Sequence, residues 1–183
     1  MLAAQFCSLA ILITVVISWV VPKKLYFDDT KPFVMLMIMT AINVVFDIAS
    51  TYTAVTNMSS KNFFFKAYLV TLIFRAFFEF SYLVIKSIKD RNSKGPVQYT
   101  FFLPLIGSII VLIAPIHIET SAKGLLVSGL SIDTAYVTAA IMAVLMLVYL
   151  IIYFKKFNKW NRLCFLTTLS LWGIAVVCEL IVE

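Results

Sequence analysis

Asn43 and Asp47 stand four positions apart, with Ser50 a turn further on, inside a stretch that is otherwise almost wholly apolar. At 3.6 residues per turn these three share one helical face. Arg75 and Glu79 repeat the spacing in the next apolar stretch, with Tyr68, Thr71 and Tyr82 near the same stripe. An amide, two carboxylates and a guanidinium at such positions suit either a buried ion-pair network or a site for a ligand or coupling ion. A third group gathers near the ends of later runs: His117 and Glu119 at the end of the fourth, Asp133 at the start of the fifth, Glu179 late in the sixth. Glu179 shares a face with Thr168, Trp172 and Ala175, a polar and aromatic lining. The ligand-contacting candidates are therefore Asn43, Asp47, Arg75, Glu79, His117, Trp172 and Glu179.

No catalytic set emerges, and the chain reads as a non-enzyme. Intramembrane hydrolysis needs paired acids or a nucleophile with a base, and a guanidinium between Asp47 and Glu79 favours ion pairing instead. The sequence carries no Gly-rich phosphate loop and no nucleophile elbow. His117 is the single histidine, and Cys7, Cys164 and Cys178 are widely spaced in apolar runs. Neither a metal cluster nor a disulfide framework is expected, and no cofactor.

The elements that must position these groups are apolar helices. Of the 183 residues 62% are hydrophobic and only 13% charged, a balance suited to lipid as solvent. Six apolar runs are of spanning length, at about 5–21, 32–56, 63–88, 99–118, 132–154 and 163–182. Residues 1–183 thus read as a single all-α transmembrane domain, a polytopic bundle of six spans. Polar and turn-forming residues break the runs at 57–62 and most clearly at 89–96, where charge, Gly95 and Pro96 coincide. Pro104 and Pro115 predict a kink or a frayed last turn in the fourth helix. The loop after it, with Gly124 and Gly129, is long enough to fold over the outer mouth of the bundle. Phe63, Phe64 and Phe65 beside Lys66, and Trp160 beside Lys159, have the pattern of interface anchors.

Basic residues set the orientation. Lys23, Lys24 and Lys31 follow the first run, Lys86, Lys89, Arg91 and Lys94 the third, and Lys155, Lys156, Lys159 and Arg162 the fifth. The other two loops hold only Lys61 with Lys66, and Lys123. The first, third and fifth loops are therefore expected inside, with both termini outside a bacterial plasma membrane. The net charge of +6 serves this asymmetry, and no nucleic-acid partner is implied. Counted from the inner ends at about 1.5 Å per residue, Asp47 lies about 22 Å up, Arg75 about 16 Å and Glu79 about 10 Å. Arg75 is thus expected to bridge the two carboxylates.

The stretches FDIASTYTAV, KAYLVTLIFRAFFEFSYLV, FFLPLIGSIIVLIAPIHI and GLSIDTAYVTAAIMAVLMLVYLIIYFKK resemble the multi-helix N-terminal regions of membrane-bound diguanylate cyclases and related signalling proteins of low-GC bacteria. The resemblance implies a membrane sensor or anchor that ordinarily has a seventh helix and a cytoplasmic GGDEF domain attached. This chain shows neither, so a truncated seven-helix receptor-like bundle is the matching expectation. The function expected is a sensory or receptor-like module. It binds a small ligand on the outer side, or senses membrane state, and relays it to a cytoplasmic effector domain or a partner membrane protein. A small transporter or channel, and a non-catalytic immunity or assembly partner, are the alternatives. A transporter predicts helices broken in mid-span.

Overall fold

The computed structural model describes residues 31–87, 99–121, 124–156 and Leu166. Within them four α-helices and one β-hairpin follow in the order α1 (Lys31–Val55), α2 (Lys61–Ser87), α3 (Phe102–Ile113), β1 (His117–Ser121), β2 (Gly124–Ser128) and α4 (Leu130–Ile152), with a closing 3-10 turn at Phe154–Lys156. Three helices are long and apolar enough to cross a membrane, over Val34–Val55, Lys61–Ile85 and Leu130–Ile152. The runs expected at 5–21 and 163–182, and with them Trp172 and Glu179, lie outside the described residues. Six spans are therefore reduced, among the described residues, to three long helices and one short one.

The ends of α1 and α2 follow from local chemistry. Pro32 stands in the first turn of α1, where its missing N–H leaves no bond unmade. At the other end Asn57 adopts φ 50°. Its N–H bonds the Ala54 carbonyl, and that of Met58 reaches back to Thr53. This is a Schellman closure, with Asn tolerating the left-handed conformation. The Lys61 Nζ then donates to Asn57 Oδ1 at 2.9 Å, tying the start of α2 to the end of α1.

α2 is the central helix: it packs on α1, α3 and α4 and touches β1. Its spanning stretch is 56% buried, against 22% for α1 and 33% for α4. Three apolar clusters line up along it. Ala54, Phe65, Leu69, Ile73, Val111, Ile116, Ile118 and Ala135 meet at the hairpin end. Ala76, Phe77 and Met142 hold the middle. Phe80, Leu83, Val84, Met146 and Leu150 hold the far end. There Tyr149 stands edge-on to Phe80 and stacks on Tyr153 with ring centroids 4.4 Å apart.

The fourth helix departs most from expectation. A helix to residue 118 was predicted, yet α3 stops at Ile113 and His117 and Ile118 lie in a strand. The cause is Pro115: the residue before a proline is driven out of the helical region, and Ala114 sits at ψ 152°. The stretch expected as a loop is instead an antiparallel hairpin pairing His117 with Ser128, Ile118 with Val127 and Glu119 with Leu126. Period-two alternation turns buried Ile118 and half-buried Leu125 and Val127 onto the bundle, and leaves His117, Glu119, Leu126 and Ser128 exposed. The all-α expectation thus gains a small sheet, and the hairpin covers the end of the bundle where α1 and α2 are joined.

Two glycines allow the close approaches this end requires. Gly129 adopts φ 122°, and a Cβ there would stand 2.8 Å from the Pro115 carbonyl oxygen. On α3 a Cβ at Gly107 would meet Thr138 Oγ1 at 2.7 Å, so Gly is what lets α3 lie so close to α4.

Candidate functional site

The polar groups of α1 and α2 form a seam between the two helices. Asn43 is 4% exposed, and its amide donates across the interface to Thr71 Oγ1 at 3.0 Å and to the Tyr68 carbonyl at 3.3 Å. Thr71 donates in turn to the same carbonyl at 2.8 Å. In an apolar interface such a bond specifies register, because dispersion alone leaves one turn much like the next. Ser50, Thr51 and Thr53 are buried on α1 below it. The Ser50 and Thr53 hydroxyls return to backbone carbonyls of their own helix, at Asp47 and Ala49.

Asp47 lies one turn beyond Asn43 on the half-buried flank of the seam, and it has a partner in the fold. Arg75 is half-buried and likewise engaged. Glu79, one turn further along α2, is 6% exposed and lies within the field of the Arg75 guanidinium. Since Asn43 and Thr71 are opposite one another on antiparallel helices, the order along the seam is Asp47, then Asn43 with Thr71, then Arg75, then Glu79.

The other expected residues are not gathered with these. His117 and Glu119 stand on the exposed face of β1, and Asp133 is exposed in the first turn of α4. An acidic group there meets the positive end of the helix dipole. Trp172 and Glu179 lie outside the described residues. No three His, Cys, Asp or Glu side chains converge on a metal-binding position among the described residues. The Phe triplet divides, with Phe63 exposed, Phe64 half-buried and Phe65 in the core.

A second polar set lies at the C-terminus of α3. Its last carbonyls need donors, and two other helices supply them. Lys66 on α2 donates from Nζ to the Leu112 carbonyl at 2.8 Å. Ser131 on α4 places its hydroxyl 3.0 Å from the Val111 carbonyl and 2.8 Å from that of Ala114, while its backbone N–H donates to Pro115. One hydroxyl proton serves two acceptors here. A cation at the negative end of a helix is favourable as well. Lys66 had the look of an interface anchor and Ser131 carried no signal, since neither capping role is local in sequence. On the same helix Ser108 is 5% exposed, and its hydroxyl has no hydrogen-bond partner among the described residues.

Comparison with protein-family models, with curated proteins and with solved structures finds no match to this chain.

Proposed function

We propose that the chain is a multi-pass sensory module of a bacterial plasma membrane, in which a ligand or a membrane state shifts the packing of helices and biases a cytoplasmic effector or a partner membrane protein. The observation that supports this is the polar seam. A buried amide bridge and a buried carboxyl between two otherwise apolar helices are costly in lipid, and such groups are usually retained for function. They also offer discrete arrangements on which a switch can be built. Six spans with both termini outside remain the proposed topology. The α1–α2 turn and the hairpin share one end, where Lys61 and Lys66 are the basic residues among the described residues. Lys86 in the last turn of α2 and Lys155 and Lys156 after α4 belong to the other end, which is the inner one by the positive-inside rule.

One observation favours a transporter: α3 has 12 residues, about 18 Å, too short to cross the hydrocarbon core. Half-helices of transporters offer their terminal carbonyls to coupling ions. Here the Val111, Leu112 and Ala114 carbonyls already receive Ser131 and Lys66. The sensory reading is therefore preferred.

A fluorophore at Ser59→Cys, in a background with Cys7, Cys164 and Cys178 replaced by Ala, separates the two in liposomes. The sensory reading expects its emission to respond to short-chain against long-chain phosphatidylcholine, or to an added metabolite mixture, with no ion flux. Proton or sodium flux abolished by Glu79→Gln overturns it in favour of transport. Emission indifferent to every condition removes it.

A further inference from the structure

Polar side chains recur at four-residue steps on both helices of the seam. Asn43, Asp47 and Thr51 lie at i, i+4 and i+8 of α1, and Thr71, Arg75 and Glu79 lie at the same steps of α2. Asn43 and Thr71 are in direct contact, Thr51, Thr71 and Glu79 are buried, and Asp47 and Arg75 are half-buried and engaged. Two facing ladders with equal rungs fit together in more than one way.

We propose that α1 and α2 form a two-register ratchet, in which α1 moves one turn toward its own N-terminus, so that Asp47 replaces Asn43 opposite Thr71 and Asn43 moves on to Arg75. This deepens the sensory reading by naming the motion. In the register observed, the Asn43 amide donates to Thr71 and Tyr68. After a slide of one turn, about 5.4 Å, Asp47 comes opposite Thr71 and Asn43 opposite Arg75. The donors and acceptors still match: the Thr71 hydroxyl donates to the Asp47 carboxylate, and the Arg75 guanidinium donates to the Asn43 side-chain oxygen. A slide in the opposite sense brings Asn43 opposite Ala67 and Asp47 opposite Phe63, with no polar match.

The rest of the fold permits the motion. α1 is the least buried of the long helices, whereas α2, α3 and α4 are tied to one another by Lys66, Ser131 and the Gly107–Thr138 approach. The link from Val55 to Lys61 has five residues, which reach about 17 Å when extended, once the exposed Lys61–Asn57 bond and the turn bonds of Asn57 and Met58 have opened. Two helices packed about 9 Å apart and displaced by one turn need less than that.

Disulfide trapping in the full chain, in native membranes and on the cysteine-free background, tests the ratchet. Phe46→Cys with Phe64→Cys reports the observed register, in which the two rings lie 6.5 Å apart. Ser50→Cys with Tyr68→Cys reports the slid register, in which it comes level together with Asp47 and Thr71, and Phe46→Cys with Ser60→Cys reports a slide the other way. The 50/68 pair is expected to cross-link at about 0.1 to 10% of the rate of the 46/64 pair, as befits a minor state. It should exceed the 46/60 pair. Asn43→Ala, which removes the pin, is expected to raise the 50/68 fraction about three-fold. Equal trapping of 50/68 and 46/60 means undirected flexibility and overturns the ratchet, as does a 50/68 yield indifferent to Asn43→Ala. Failure of all three pairs contradicts the observed register and overturns it too. The cross-links read helix position and not signal output, so their failure leaves the sensory reading to its own test.

Discussion

Two buried polar residues of this bundle stand in opposite situations, and their substitutions should move stability in opposite directions. Asn43 is satisfied from a neighbouring helix. Interhelical bonds of this kind average about 0.6 kcal/mol and reach about 1.7 kcal/mol in membrane proteins. Asn43→Leu is expected to lower stability by about 1 kcal/mol in a detergent unfolding titration. Ser108 has its hydroxyl buried without a partner among the described residues, so Ser108→Ala removes a desolvated donor and should leave stability equal or higher. A loss of stability in Ser108→Ala would show that its hydroxyl is bonded in the folded protein. The seam residues are legible in sequence because a polar side chain in an apolar run stands out wherever it occurs. Lys66 and Ser131 are not, because a lysine near a loop and a serine at a helix start are commonplace. Their task is set by carbonyls 46 and 17 to 20 positions away.

Among the elements, α1, α2 and α4 were legible to within two residues at either end, since an apolar run bounded by polar turns carries its own limits. The hairpin was not. Its strands have five residues each, and their alternation follows directly on a helical period, so the short segment reads as loop. Pro115 gave the one local signal of the break, and it weighs more than a fraying of the last turn: it turns the chain from helix to strand. Gly129 completes the turn at the other end. Gly129→Ala is expected to cost about 1 to 3 kcal/mol, from a positive φ denied to L-residues together with the 2.8 Å approach to the Pro115 oxygen. Thermal unfolding of the variant in detergent measures it. Wild-type stability would mean that the hairpin base is looser than the structure has it.

At the scale of the whole molecule the proposed topology makes opposite ends of the bundle distinguishable. Ser59 in the α1–α2 turn and Leu126 on the hairpin are exposed at one end, and Lys155 is exposed beyond α4 at the other. With single cysteines at each position, a membrane-impermeant maleimide applied to intact cells is expected to label Ser59→Cys and Leu126→Cys. Lys155→Cys should react only after the cells are opened. The reverse pattern inverts the orientation while leaving the fold as it is. Labelling of Ser59→Cys and Lys155→Cys together contradicts the bundle of membrane-crossing helices. Composition made the membrane reading accessible from the first, because so apolar a chain has no soluble solution at this size. How many crossings there are depends in addition on runs 5–21 and 163–182.

The capped end of α3 bears on the order in which the protein can be made. The Val111 and Ala114 carbonyls take their donor from Ser131, which leaves the ribosome 17 to 20 residues later. Lys66, the other donor, has been synthesised well before. Until α4 begins, the C-terminus of α3 therefore has one of its two side-chain caps, and lipid offers no substitute for the missing one. The short helix, the hairpin and the start of α4 are best understood as a single unit of insertion. In the proposed topology it is expected to leave the translocon together and to close when the serine arrives.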